Sequence, residues 1–139
     1  MAKPRHPRGL IDASIVIDLG QIDPVDLPSE LAISAVTLAE LAAGPHATAD
    51  PEERARRQDR LQRTEATFDA VPVDGAVARA YGRVHAAVAT SGRKARGRRA
   101  FDLLVAATAL AGNLPLYTRN PDDSQELRDL LEVVAVPAQ

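Results

Sequence analysis

Gly9-Leu10-Ile11-Asp12-Ala13-Ser14-Ile15-Val16-Ile17-Asp18-Leu19-Gly20 is the stretch on which the reading of the fold turns. An apolar run ends at Asp12, and a second apolar run follows at helical spacing. The pattern predicts a short buried strand over residues 9–12 and a short helix over 13–19, closed by Gly20. The same alternation recurs downstream. Residues 21–30 carry Pro24, Pro28 and three acids and read as loop. Leu31-Ala32-Ile33-Ser34 reads as a second strand, leading into an Ala/Leu-rich helix over 36–43 stopped by Gly44-Pro45. Asp50-Pro51-Glu52-Glu53 combines an N-cap acid, a first-position proline and first-turn acids, so a helix runs from there to about residue 68. Val71-Pro72-Val73-Asp74 fits a third strand, and Pro72, lacking an N–H, places it at an edge.

Asp74 then caps a helix over 75–90, and residues 91–99 form a basic loop. An apolar helix over 101–111 is closed by Gly112-Asn113, and Leu114-Pro115-Leu116-Tyr117 is the fourth strand. Asn120-Pro121-Asp122-Asp123 is a turn, followed by a short helix near 125–131 and a final strand at 133–136. Apolar strands alternating with helices predict an α/β fold of three layers, a short parallel sheet covered by helices on both faces. The whole chain, 1–139, reads as a single domain, with residues 1–8 as a basic N-terminal tail.

Composition narrows the chemistry. A content of 45% hydrophobic residues excludes wholesale disorder. The absence of cysteine removes disulfides, zinc–thiolate sites and thiol nucleophiles together, and suits a reducing cytoplasm, the expected location. No apolar run approaches the roughly 18 residues of a membrane-spanning helix, and the basic start has no small-residue cleavage site of a secretory signal. His6, His46 and His85 lack metal-ligand spacing, and neither a Gly-x-Ser-x-Gly elbow nor a Gly-Lys-Ser/Thr phosphate loop is present.

The formal net charge of −2 conceals alternating blocks. Residues 9–50 hold seven acids and no Lys or Arg, residues 75–101 seven Lys or Arg and no acid, and residues 102–139 six acids against two arginines. Open parallel sheets bind ligands beyond the carboxyl ends of their strands. Asp12 ends the first strand, Glu40 lies in the helix leaving the second, Asn120 to Asp123 follow the fourth, and Asp102 begins the helix that runs back before it. Singly, each acid has an ordinary explanation as a cap, a solvated helix residue or a turn former. Jointly they converge on one rim.

Clustered carboxylates repel one another unless a cation or protons intervene. An oxygen-only set without histidine or cysteine favours Mg²⁺ or Mn²⁺ over zinc. The matching chemistry is hydrolysis of a phosphodiester by a metal-activated water. Ser14, two residues past Asp12, is a supporting ligand in this reading or simply a first-turn residue.

Leu10-Ile11-Asp12-Ala13-Ser14 and Ile33-Ser34-Ala35-Val36-Thr37-Leu38-Ala39-Glu40-Leu41 resemble the opening motifs of PIN-domain ribonucleases. Phe101-Asp102-Leu103-Leu104-Val105-Ala106-Ala107-Thr108-Ala109 and Thr118-Arg119-Asn120-Pro121-Asp122-Asp123 resemble the third and fourth, and the likeness is greatest to VapC toxins of VapBC toxin–antitoxin systems. The resemblance implies a PIN-like fold and a Mg²⁺- or Mn²⁺-dependent endoribonuclease. It also implies a homodimer that joins a VapB-like antitoxin in a hetero-oligomer. Carried over residue by residue, Asp12, Glu40 and Asp102 take the core acidic positions as metal ligands and catalytic groups. The fourth falls on Asp123, with Asn120 beside it and Asp122 as its substitute. Ser124 stands where the family commonly has an aromatic.

Arg93, Lys94, Arg96, Arg98 and Arg99, immediately before Asp102, are candidate contacts for RNA phosphates, the alternatives being a solvated loop or a docking site for an acidic partner. The arginines at 54, 56, 57, 60 and 63 alternate with acids at helical spacing and read as a self-paired solvated face. The helices at 36–43 and after Asp50 are candidates for an antitoxin groove. Two other classes compete. A receiver-type signalling domain would need paired acids after the first strand, a third-strand phosphoacceptor and a late lysine, and no lysine follows Lys94. A non-catalytic module that binds RNA or antitoxin would keep the fold alone.

Overall fold

The computed structural model describes residues 6–92 and 97–137. Five parallel strands form one sheet: β1 (Arg8–Ile11), β2 (Glu30–Ser34), β3 (Ala70–Val71), β4 (Leu116–Thr118) and β5 (Val133–Ala135), in the order β3-β2-β1-β4-β5. Five helices connect them: α1 (Ala13–Ile17), α2 (Ala35–Ala43), α3 (Pro51–Thr67), α4 (Gly75–Thr90) and α5 (Arg98–Ala111).

Successive strand residues point to opposite faces, and here both faces are buried. Leu10, Ala32, Leu116 and Val133 enter one core cluster, with Val77 and Val84 of α4 and Leu103 and Ala106 of α5. Ile11, Ile33 and Tyr117 enter the other, with Ile15 and Val16 of α1, Leu41 of α2 and Leu61 of α3. Val36 of α2 belongs to the first cluster and Leu41 to the second, so α2 lies across the sheet end that separates the layers. This is the three-layer arrangement expected from the continuous apolar strand runs.

Side-chain caps fix the helix starts where the sequence placed acids or serine. Asp12 accepts from the Ile15 N–H, Ser34 from Val36, Asp50 from Glu52 and Asp74 from Val77. Gly9 permits a close approach of strands: a Cβ there would lie 2.6 Å from Cε1 of the buried Tyr117 ring.

Several boundaries differ from the sequence reading. β3 covers only Ala70–Val71, at the sheet edge as expected, and ends where Pro72 supplies no N–H. β1 takes in Arg8, and the His6 and Pro7 carbonyls accept from Ser29 and Glu30, so the ordered chain reaches into the stretch read as tail. β4 starts at Leu116 rather than Leu114, because the Leu114 N–H returns to Ala109 O and closes α5. The helix expected near 125–131 is instead a 3₁₀ run over Pro121–Leu127, kinked at Ser124. Finally, α5 begins at Arg98 after Gly97 in the left-handed region (φ 68), so Arg98 and Arg99 are helical and Asp102 stands in the second turn. The strand order also removes the receiver reading, whose doubly wound sheet runs 2-1-3-4-5.

Candidate active site

β1 is the central strand at which the winding direction reverses, and β4 is its neighbour on the far side. Connections leave such a pair in opposite directions, opening a crevice beyond the strand ends. Asp12 follows β1 directly and Asn120 lies just after β4. Their cleft, of about 360 Å³, is lined by Asp12, Ser14, Glu40, Asp102, Asn120 and Asp123, with Val105, Thr118 and Ser124 among the remaining walls.

All four acids proposed from sequence therefore meet in one place. Asp122, the substitute for the fourth, is not among the lining residues. Asp102 is the fifth residue of α5, which excludes the helix-cap explanation for it. Asp12, by contrast, both caps α1 and faces the cleft: its Oδ1 accepts from the Ile15 N–H at 3.3 Å and from the Ser14 hydroxyl at 2.5 Å.

Ser14 is tied on its other side as well. Its Oγ accepts from the Arg119 N–H at 3.0 Å while donating to Asp12. The Arg119 guanidinium in turn donates to Asp18 at 2.7 Å. With its proton donated to Asp12, Ser14 orients that carboxylate, a role distinct from both the supporting ligand and the plain first-turn residue read from sequence. No local sequence signal foretold this: Ser14 and Arg119 are 105 positions apart.

The donor set fits a hard cation. The candidate ligands are carboxylate, amide and hydroxyl oxygens, the set that Mg²⁺ and Mn²⁺ prefer. Among the described residues no three acid or histidine side chains stand close enough to enclose an ion by themselves. Mg²⁺ retains several waters and uses one or two carboxylates directly, so an open acidic cleft of this kind suits a largely hydrated ion.

The basic residues divide. Arg93, Lys94 and Arg96 lie outside the described residues. Arg98 opens α5. Arg99 departs from the expected phosphate contact: its Nη2 donates to Glu126 Oε1, and the two side chains are only 15% and 8% exposed. On α3, Glu53 accepts from Arg56 and Arg57, and Asp59 pairs with Arg63, so the self-pairing expected there holds for three of the five arginines, whereas Arg54 donates to the Pro45 and Thr48 carbonyls and Arg60 lines a groove. Hydrogen bonding from Arg57 first, then Arg56, holds the Glu53 carboxyl below the usual carboxylate range.

A separate groove is lined by Val16, Ile17, Leu19, Arg60, Thr64 and Phe68. It runs between α1 and α3, while just past the end of α2 the Arg57 guanidinium of α3 donates to Gly44 O. Ile17, half exposed, lines both groove and cleft.

A winding reversal with an oxygen-only acidic cleft at its carboxyl ends defines the class, and the chain belongs to the PIN domain family, whose model matches residues 9–130. Among individual proteins it is similar to Ribonuclease VapC5 of Mycobacterium tuberculosis, at 37% identity over 117 residues, covering 82% of this chain and 84% of that protein. The crystal structure of VapBC-5, a member of the VapBC family of toxin–antitoxin systems from the same organism, matches with a TM-score of 0.80 and 35% identity, covering 95% of this chain and 99% of that one. VapBC2 from Rickettsia felis, bound to a promoter DNA fragment, shares the fold with a TM-score of 0.70 at 19% identity, over 95% of this chain and 99% of that one.

Proposed function

We propose that the chain is a VapC-type toxin, a Mg²⁺- or Mn²⁺-dependent endoribonuclease restrained by a VapB-like antitoxin. The observation that carries this reading is the convergence of Asp12, Glu40, Asp102 and Asp123 from four separate elements into one cleft. The family membership and the 37% identity to Ribonuclease VapC5 support it.

In this reading one or two of the four carboxylates would ligate the cation directly and the others would hold its waters, with Asn120 beside them. Ser14 keeps Asp12 turned into the cleft, and the Arg119 N–H keeps Ser14 in place. The cation, when bound, supplies an activated water and neutralises charge developing on the scissile phosphate. Among the described residues no cysteine or histidine lines the cleft, and Ser14, the hydroxyl nearest Asp12, already donates its proton to that carboxylate. The reaction is therefore direct hydrolysis without a covalent enzyme intermediate, leaving a 5′-phosphate and a 3′-hydroxyl. The half-apolar groove between α1 and α3 adjoins the cleft at Ile17, which suits it to an antitoxin segment that reaches the acids. The protein works as a homodimer in the cytoplasm under this assignment.

The test is cleavage of total RNA by the purified chain with Mg²⁺, with excess EDTA, and after Asp12→Asn. Cleavage that requires Mg²⁺ and Asp12, with 5′-phosphate ends, is expected. Equal cleavage in EDTA would sink the metal-dependent reading. Binding of RNA or antitoxin without any cleavage would leave the chain a non-catalytic module.

A further inference from the structure

The four cleft acids are not equally well anchored. Asp12 caps α1, Glu40 lies within α2 and Asp102 within α5. Asp123 lies in the 3₁₀ run Pro121–Leu127, whose backbone leaves helical geometry at Ser124 (φ −119, ψ 18). The run packs against α4 and β5, and Leu127 pins it into the core at 1% exposure. Leu127 joins the core cluster that also holds Leu103 and Ala106 of α5, where Asp102 stands. A direct tie to α5 is the ion pair of Glu126 with Arg99.

Two features mark this pair as more than a surface bridge. First, the geometry repeats on both sides. Arg99 precedes Asp102 by three residues on one helix, a spacing that brings side chains together. Glu126 follows Asp123 by three residues in the 3₁₀ run. Second, the placement is locally unfavourable. A cation in the first turn opposes the helix macrodipole, α5 has no first-turn acid to offset it, and among the described residues Arg99 Nε is buried without a hydrogen-bond partner. A buried charge persists where a specific partner compensates it. The gain lies across the two elements.

We propose that the Arg99–Glu126 pair is a strut that sets the separation of Asp102 and Asp123, making both members positioning residues for the cation that the cleft takes. The inference rests on the metal-dependent reading above. It gives Arg99 a task different from RNA contact, since its guanidinium is engaged by a carboxylate. Losing the strut loosens the kinked run and weakens cation binding, while contacts to RNA phosphate are untouched.

The experiment titrates Mn²⁺ into the full chain, followed by electron paramagnetic resonance, and measures RNA cleavage against Mn²⁺ concentration. The variants are Arg99→Met, Glu126→Gln and the two combined, each confirmed as folded by circular dichroism. Single variants leave one buried charge unpaired, so the double variant, which leaves none, is the decisive one. Its Mn²⁺ affinity is expected to fall about tenfold or more, as for other groups that orient metal ligands. The loss should be no larger than that of the worse single variant, since the pair acts as one unit. The fall in kcat at low Mn²⁺ should be recovered at high Mn²⁺, with KM for RNA unchanged.

A folded double variant that binds Mn²⁺ within twofold of the unaltered chain overturns the strut. A rise in KM confined to Arg99→Met, with Glu126→Gln unaffected, overturns it too and returns Arg99 to phosphate contact. If the double variant does not fold, Arg99→Lys decides, since it keeps the charge but not the reach of the guanidinium Nη2 to Glu126. Weakened Mn²⁺ binding there supports the strut and unchanged binding overturns it. An unaltered chain that binds no Mn²⁺ overturns the metal-dependent reading itself, and the strut with it.

Discussion

Two regions of the molecule gather carboxylates, and they do so in opposite ways. On α3 two acids are answered locally: Glu53 by Arg56 and Arg57 at 2.8 and 2.9 Å, Asp59 by Arg63 at 3.2 Å, each about one turn away on the same helix. In the cleft, Asp12, Glu40, Asp102 and Asp123 arrive from four separate elements. A helical turn can neutralise its own acids through i,i+3 and i,i+4 spacing. Acids brought together by a sheet edge meet one another instead, and such a group favours a cation. Acid content thus distinguishes the regions less than the origin of the neighbours does.

The sharpest way to break the contrast is to neutralise one acid at a time. Asp12→Asn, Glu40→Gln, Asp102→Asn and Asp123→Asn should each lower the initial rate of RNA cleavage by at least about 100-fold, the upper range seen for groups one step removed from a metal. An active Asp123→Asn with an inactive Asp122→Asn would shift the fourth position to its neighbour. A change outside both regions acts through the sheet that carries the cleft. Gly9→Ala would press a Cβ against Tyr117 and displace β1 from β4, the strands whose ends carry Asp12 and Asn120. Overpacking of this kind costs about 1–3 kcal/mol, measurable as a lower midpoint in denaturant unfolding.

Ser14→Ala comes next. It removes the hydroxyl that orients Asp12 and the acceptor of the Arg119 N–H. A loss of about tenfold in cleavage with little change in Tm is expected. The smallest effect belongs to α3. Glu53→Gln should leave cleavage unchanged and lower stability slightly near neutral pH, with the difference vanishing in acid. Its carboxyl is held below the usual range, so its contribution is present above the ordinary glutamate value of about 4.3 and fades as pH falls through the lower folded value. The variant should therefore show a shallower loss of Tm on acidification. Salt should erase the difference, because the arginine side chains facing it are partly solvated.

Much of the fold was readable because its signals are short-range. The apolar runs of Leu10-Ile11 and Ala32-Ile33 mark buried strands, and Asp50-Pro51 and Asp74 mark helix starts, each through groups a few residues apart. Pro72 even indicated the sheet edge. The misreadings cluster where tertiary contacts override local pattern. Leu127 and Leu131 suggested a helix, but the segment between Asn120 and Leu127 is a kinked 3₁₀ run that seats Leu127 in the core. Arg99 looked like one more cation in a basic run, and only its meeting with Glu126, 27 residues away, shows it as half of a buried pair. The groove between α1 and α3, lined by Ile17 and Phe68 from distant parts of the chain, had no local signal either.

By itself, then, the sequence determined the order of strands and helices along the chain, most of the helix starts, and that acids gather near strand ends. Periodicity, caps and breakers act over one or two turns, and the chain order carries them without ambiguity. Only the tertiary structure decided that the winding reverses between β1 and β4, that Asp123 rather than Asp122 faces the cleft, and that Ser14 and Arg99 are engaged by Arg119 and Glu126. Those choices depend on contacts between residues distant in the chain, whose strength is set by burial and geometry once the layers have packed.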